Sequence, residues 1–266
     1  MKRYLRYIAC MWFACALPIM VKAQRDTQHA TTFGIGKTSH LDTYLSPLEY
    51  QGPELLVMSE KLRCLKRNSH ITYQTSTLGR ISSADSPTGH GGEFGGDIQY
   101  ASAWMYTWRD CGLQGLHIHA GGQIQGSIGF LYNTRNGNNP AQAYLSADLT
   151  IKALATYDLH IRKQTLTLRY QPSVPLIGAM FSPNYGQSYY EIFSLGDYDH
   201  NVCFKYPGNG FCLDQQLSVD LPIRHATLRL GYLNTIRQAT PNQLKQHHIS
   251  HAFMIGYVRN LTIKRP

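Results

Sequence analysis

HIHAGGQIQGSIGF, residues 117–130, can be read in three ways. Its His-x-His pair suggests a metal site, its glycines suggest a phosphate loop, and its side chains alternate in polarity. Successive side chains of an extended strand point to opposite faces, so alternation assigns every residue a side. Ile118, Ala120, Ile124, Ile128 and Phe130 fall on one face with Gly122 and Gly126 between them, while His117, His119, Gln123, Gln125 and Ser127 fall on the other. The metal reading lacks a third ligand at useful spacing. No Gly-x-x-x-x-Gly-Lys follows for phosphate, so a strand is expected, with no metal and no cofactor.

The same division recurs along the chain. Leu145, Ala147, Leu149 and Ile151 oppose Ser146, Asp148, Thr150 and Lys152, and Leu213, Leu217, Val219 and Leu221 oppose Asp214, Gln216, Ser218 and Asp220. Leu166, Leu168 and Tyr170 oppose Thr167, Arg169 and Gln171; Leu228, Leu230 and Tyr232 oppose Thr227, Arg229 and Gly231; Ile98, Tyr100, Trp104, Tyr106 and Trp108 oppose Asp97, Gln99 and Thr107. Ten strands are expected, near 31–38, 53–64, 68–80, 94–108, 113–132, 142–157, 163–172, 211–221, 224–236 and 247–263. The first two and the last alternate poorly.

The connections alternate between long (HLDTYLSPLEYQG, SSADSPTGHGGE, NTRNGNNPA, 173–210, QATPNQLKQ) and short (CLKRN, RDCG, DLHIRK, PIRH). Short periplasmic turns and long extracellular loops characterise a closed antiparallel barrel in a Gram-negative outer membrane. GHGGEFGG (89–96) precedes a strand and not a helix, so it reads as a loop and not as an anion cradle. Strands of ten residues or more suit a tilted span better than a soluble sheet. Tyr73, Trp108 and Tyr157 near the short turns, and Tyr132, Tyr144 and Tyr232 near the long loops, are placed to form interface girdles.

The first residues fit an exported chain. Lys2, Arg3 and Arg6 precede an apolar run from Ile8 to Val21, which predicts a signal peptide over 1–23 and a barrel over 24–266. The signal holds four of the 25 Lys and Arg and none of the 16 Asp and Glu, so the remaining 243 residues carry +5. These charges are scattered, which argues against nucleic acid and for a surface facing anionic lipid. No later stretch is long and apolar enough for a membrane-spanning helix.

GIGKTSHLDTYLSPLEYQGPEL (34–55), AGGQIQGSIGFLYNTRNGNNPA (120–141), RYQPSVPLIGAMFSPNYGQSYYEIFSLG (169–196) and SHAFMIGYV (250–258) are the pieces by which the chain resembles a family of Bacteroidota outer-membrane β-barrel proteins of unknown function. The resemblance implies an outer-membrane barrel and transfers no catalytic residue.

A barrel of ten strands is nearly filled by its own side chains. Charges on its inner face need partners, because an unpaired buried charge is costly. Asp97, Asp148, Lys152, Arg169, Asp214, Asp220 and Arg229 are therefore expected to form a lumen network with His117, His119, Gln123 and Gln125. The loop over 180–212 is rich in aromatics, and Tyr185, Tyr189, Tyr190, Glu191 and Phe193 are its candidate binding residues, for outer-membrane lipid, lipopolysaccharide, a glycan or another envelope protein. In an oxidising compartment Cys203 is expected to bond Cys212, and Cys64 to bond Cys111. The leading reading is a non-enzymatic interaction barrel. A hydrolase is the alternative, drawing on Ser188, Asp197, Asp199 and His200 or on His247, His248, Ser250 and His251; a small pore is the third.

Overall fold

Ten antiparallel strands of the computed structural model close into one barrel, because each can bury a polar face inward only if the sheet curls back on itself. The structure describes residues 26–65, 70–137, 139–161, 164–223 and 226–262; the expected signal segment lies outside them. The strands are β1 (Asp26–Asp42), β2 (Tyr50–Cys64), β3 (Ile71–Asp85), β4 (Gly92–Trp108), β5 (Leu116–Asn133), β6 (Ala141–Ile161), β7 (Gln164–Phe181), β8 (Val202–Lys205), β9 (Cys212–Ile223), β10 (Ala226–Ala239) and β11 (Gln246–Thr262). Strands β1 to β7 pair in chain order, β7 continues to β9, β10 and β11, and β11 closes on β1 from Asp26↔Thr262 to Asp42↔Gln246. The short β8 pairs with the upper end of β7.

Burial follows the period-two pattern. Along β2 the first nine residues alternate strictly between buried and exposed, from Tyr50 to Met58. The outward residues form an apolar belt that includes Phe33, Ile35, Leu55, Val57, Ile98, Ile124, Ile128, Leu149, Phe253 and Ile255, all exposed. On β1 and β11 the belt lies between the exposed Arg259, paired with His29, and the exposed Lys37, paired with His251. Those eight steps span about 26 Å along the strand, or roughly 20 Å after a tilt of about 40°, close to the apolar height that such barrels present to lipid.

Two expectations change in detail. The outer connections 43–49, 86–91, 134–140 and 240–245 are scarcely longer than the inner 65–70 and 109–115, because backbone pairing continues past the point where side-chain alternation fades. Length asymmetry survives where β6 ends at Ile161 and β7 starts at Gln164, where β9 ends at Ile223 and β10 starts at Ala226, and in the long outer segment 182–211. Tyr144 leaves the expected girdle: its hydroxyl donates to Asp42 Oδ2 at 2.6 Å, on the lumen side.

The lumen is packed in layers. Its middle is apolar, with Leu56, Met58, Leu78, Leu233, Ala252 and Met254 in mutual contact. These inward hydrophobics are why β2 and β11 do not read as alternating strands: on them both faces are apolar. Ionic layers lie above and below.

Candidate functional site

The lower ionic layer is tight. Arg229 donates to both carboxylate oxygens of Asp220, Nε to Oδ1 at 2.6 Å and Nη2 to Oδ2 at 2.7 Å, in the bidentate geometry a guanidinium favours. Glu60 Oε1 accepts from Arg169 Nη2 at 2.8 Å and from Arg229 Nη1 at 3.3 Å, and its other oxygen accepts from Gln171 at 3.0 Å. Gln74, Gln171 and Gln216 extend this layer, and Gln28 accepts from Arg169 at 3.0 Å. The structure therefore brings Arg169, Asp220 and Arg229 together around Glu60. Asp220 and Arg229 are cross-strand partners, as are Asp97 and Arg80, so the register itself pairs opposite charges.

The upper layer is looser. Arg80 Nε donates to Asp97 Oδ1 at 2.9 Å, and Lys205 on β8 lies 3.0 Å from Asp148 Oδ1. Arg237 lies 3.9 Å from Asp97 and 3.7 Å from Asp214, too far for a direct hydrogen bond to either, and donates to Gln99. Glu54 accepts from Ser250 and faces His248 at 3.5 Å, while the rings of His248 and His40 stack 4.7 Å apart.

The remaining lumen candidates go elsewhere. His119 bonds Thr107 at 2.8 Å near the inner rim, His117 accepts from the amide of Asp110 in an inner turn, and Gln123 donates to Gln125 at 2.9 Å. Lys152 is buried on the inner face of β6. Among the described residues no group of three or more His, Cys, Asp or Glu is arranged to hold a metal ion.

Sequence reasoning missed Glu54, Glu60, Arg80, Lys205, Arg237 and His40, and took His248 for a hydrolase candidate and not for a lumen residue. A signal for the first two existed: Glu54, Leu56, Met58 and Glu60 lie two apart, so inward charges at 54 and 60 would have assigned the face of the hydrophobics between them.

The outer end is capped by the segment 182–211. Its single helix α1 (Tyr189–Phe193) starts in a capping box, where Ser188 Oγ accepts from the Glu191 amide and Glu191 accepts from the Ser188 amide. The Ser188 amide, and the Ser188 hydroxyl donating to the same carboxylate oxygen, hold the Glu191 carboxyl below its ordinary range. Tyr189 fastens the helix to the barrel, donating to Gln142 at 2.8 Å and accepting from the Ala143 amide at 2.6 Å. Tyr44 donates to the Gln187 carbonyl at 2.9 Å, and burial raises its hydroxyl to about 12. Asn242 donates to the carbonyls of Ser182, Pro183 and His200 from the next loop. Of the candidate binding residues, Tyr185, Tyr190 and Phe193 project outward and are exposed, whereas Tyr189 is an anchor and Glu191 is spent in the cap.

Among the described residues Cys64, Cys111, Cys203 and Cys212 are free thiols, so the expected disulfides are corrected. Cys203 Sγ is drawn to Asn242 Oδ1 at 3.3 Å, while Cys212 opens β9 opposite Arg237. Burial raises the Cys203 thiol above its ordinary value. Neither Cys64 nor Cys111 is bonded to the other. The hydrolase sets also separate. Ser188 Oγ donates to Glu191, Asp199 and His200 pair in solvent at 2.9 Å, and on β11 His248 and Ser250 reach Glu54 inside while His251 bonds Tyr232 outside.

Three solved structures share the barrel architecture at low similarity. The outer membrane protease OmpT from Escherichia coli is 8% identical over 90% of this chain and 96% of that one, with a TM-score of 0.47. The translocator domain of the autotransporter NalP from Neisseria meningitidis is 11% identical over 96% and 95%, at 0.38. The transport unit of the autotransporter AIDA-I from Escherichia coli is 11% identical over 94% and 97%, at 0.37. No curated protein matches. The fold rests on the strand pairing itself, and at the level of sequence residues 9–265 match one family model. This chain belongs to the family described as protein of unknown function (DUF3316).

Proposed function

We propose that this protein is a non-enzymatic, non-conducting outer-membrane barrel that engages another envelope component through the capped segment 182–211. The observation that carries this reading is the build of that segment: a fastened platform with Tyr185, Tyr190, Phe193, Leu195 and Tyr198 left between 63% and 82% exposed. Exposed rings on a preorganised surface bind at little entropic cost, whereas the same rings on a loose loop would collapse on one another. The filled lumen supports the non-conducting half of the reading, since its ionic layers occupy the axis that a pore would need.

Exposed aromatic faces suit the sugar rings of a glycan, and the polysaccharide of lipopolysaccharide is the partner that this location supplies. With the barrel in lipid nanodiscs and purified lipopolysaccharide polysaccharide as the probe, the triple variant Tyr185→Ser, Tyr190→Ser, Phe193→Ser is expected to lose at least tenfold in affinity by calorimetry. Unchanged binding in the folded variant, or no binding by the parent, overturns the assignment.

A further inference from the structure

The barrel wall is interrupted on one flank of β7. The lower part of β7 pairs with β9 from Thr167↔Asp220 to Ser173↔Asp214, and its upper part pairs with β8 from Gly178↔Lys205 to Phe181↔Val202. Between these stretches Val174, Pro175, Leu176 and Ile177 have no strand partner on that flank. The opening is roughly 13 Å long at about 3.3 Å per residue. Its local cause is the run PSVP, 172–175: proline gives the ladder no N–H, so within sheets it is confined to edges and bulges. On the other flank the register of β6 and β7 shifts between Leu149 and Thr150, opposite Ile177 and Pro175.

Behind the opening lies the cavity of the upper lumen, about 130 Å³, whose walls include Pro175, Met180, Lys205, Cys212, Asp214 and Arg237. Three cations, Arg80, Lys205 and Arg237, face four carboxylates, Glu54, Asp97, Asp148 and Asp214, so carboxylates outnumber the Lys and Arg side chains of the lining. Arg80 pairs with Asp97 and Lys205 with Asp148. Arg237 stands 3.7 Å from Asp214, and Asp214 Oδ1 is buried with no hydrogen-bond partner. A buried carboxylate oxygen without a hydrogen-bond partner selects a cationic donor, and a guanidinium held away from both neighbouring carboxylates can serve an acceptor.

The outer face of the opening is apolar: Leu176, Ile177 and Phe204 are 41%, 46% and 62% exposed. Just below it, Tyr170 donates to Gln215 at 2.9 Å on the outer surface. We propose that the cavity binds the head group of a membrane amphiphile bearing an ammonium and an acceptor oxygen, as phosphoethanolamine does, which enters from the bilayer through the break in β7. The ammonium meets Asp214, the acceptor meets Arg237, and the acyl chain lies outside along Leu176, Ile177 and Phe204. This site shares no residue with the aromatic platform, so either proposal can fail alone.

The test uses the folded barrel, lysophosphatidylethanolamine with a diazirine in its acyl chain, and lysophosphatidylglycerol of the same chain. Native mass spectrometry is expected to show at least tenfold preferential retention of the ammonium-bearing lipid, falling to within twofold in Asp214→Asn. Photo-adducts in the unaltered protein are expected to concentrate on 174–177 and 204–206, a readout that does not depend on the variant folding. Equal retention of the two lipids, a folded Asp214→Asn variant that keeps the preference, or adducts spread evenly around the belt would each overturn the proposal.

Discussion

Glu60 holds more of the lumen than any other side chain, since one carboxylate neutralises both Arg169 and Arg229. Removing one partner of a buried ionic cluster leaves charge without compensation, which costs about 3–5 kcal/mol. Glu60→Ala is therefore expected to lower the urea midpoint of the reconstituted barrel by that order, whereas Asp199→Ala, at a pair exposed to solvent, should leave it unmoved. A midpoint equal to the parent's in Glu60→Ala would show that the lower layer does not stabilise the barrel. The two residues also differ in how they read in the sequence. Asp220 and Arg229 are legible as inward charges because their strands alternate cleanly. Glu60 is not, because inward Leu56 and Met58 make β2 apolar on both faces.

The short helix α1 owes its geometry to its cap. A five-residue helix has too few internal bonds to stand alone, so the Ser188 and Glu191 exchange and the Tyr189 anchor hold it. Ser188→Ala is expected to cost about 1 kcal/mol of local stability, read as faster amide exchange over 186–195 with the barrel midpoint unchanged. The same cap has a pH signature. The folded-state pKa of Glu191 lies below its ordinary 4.5, so its contribution is present above 4.5 and is lost as pH falls through the lowered value. Protection factors over 186–195, taken against the intrinsic exchange rate at each pH, should therefore fall on acidification in the parent, and Ser188→Ala should blunt that dependence. An identical acid response in both proteins would remove the cap from the account. The motif S-x-x-E stands in the sequence at 188–191, but no local pattern shows that it caps a helix fastened to Gln142 and Ala143, because those contacts lie 46 and 47 residues away.

The closed ring has no free edge along nine of its ten seams, since every stave is paired on both sides and only the β7 flank is broken. Such closure resists detergent until heat disrupts the ladders, so unboiled protein is expected to migrate faster than boiled protein in detergent gels. Ionic and apolar layers block the axis, and planar bilayers containing the barrel should stay at baseline conductance. Stable single-channel steps would contradict the plugged lumen, and co-migration of boiled and unboiled samples would contradict the closed barrel.

Side-chain facing was readable from the chain alone, because alternation is a property of an extended backbone whatever surrounds it, and from facing came the strand count, the polar interior and the oily belt. Which inward charges meet was decided only by the closed structure. Arg169 and Arg229 reach Glu60 across 109 and 169 residues of sequence, and no local pattern encodes a distance across the barrel axis. The same holds for β8, four residues whose strand identity exists only because β7 outruns β9 and leaves backbone groups to be paired. Closure also carried Cys203 to Asn242 and left it a free thiol.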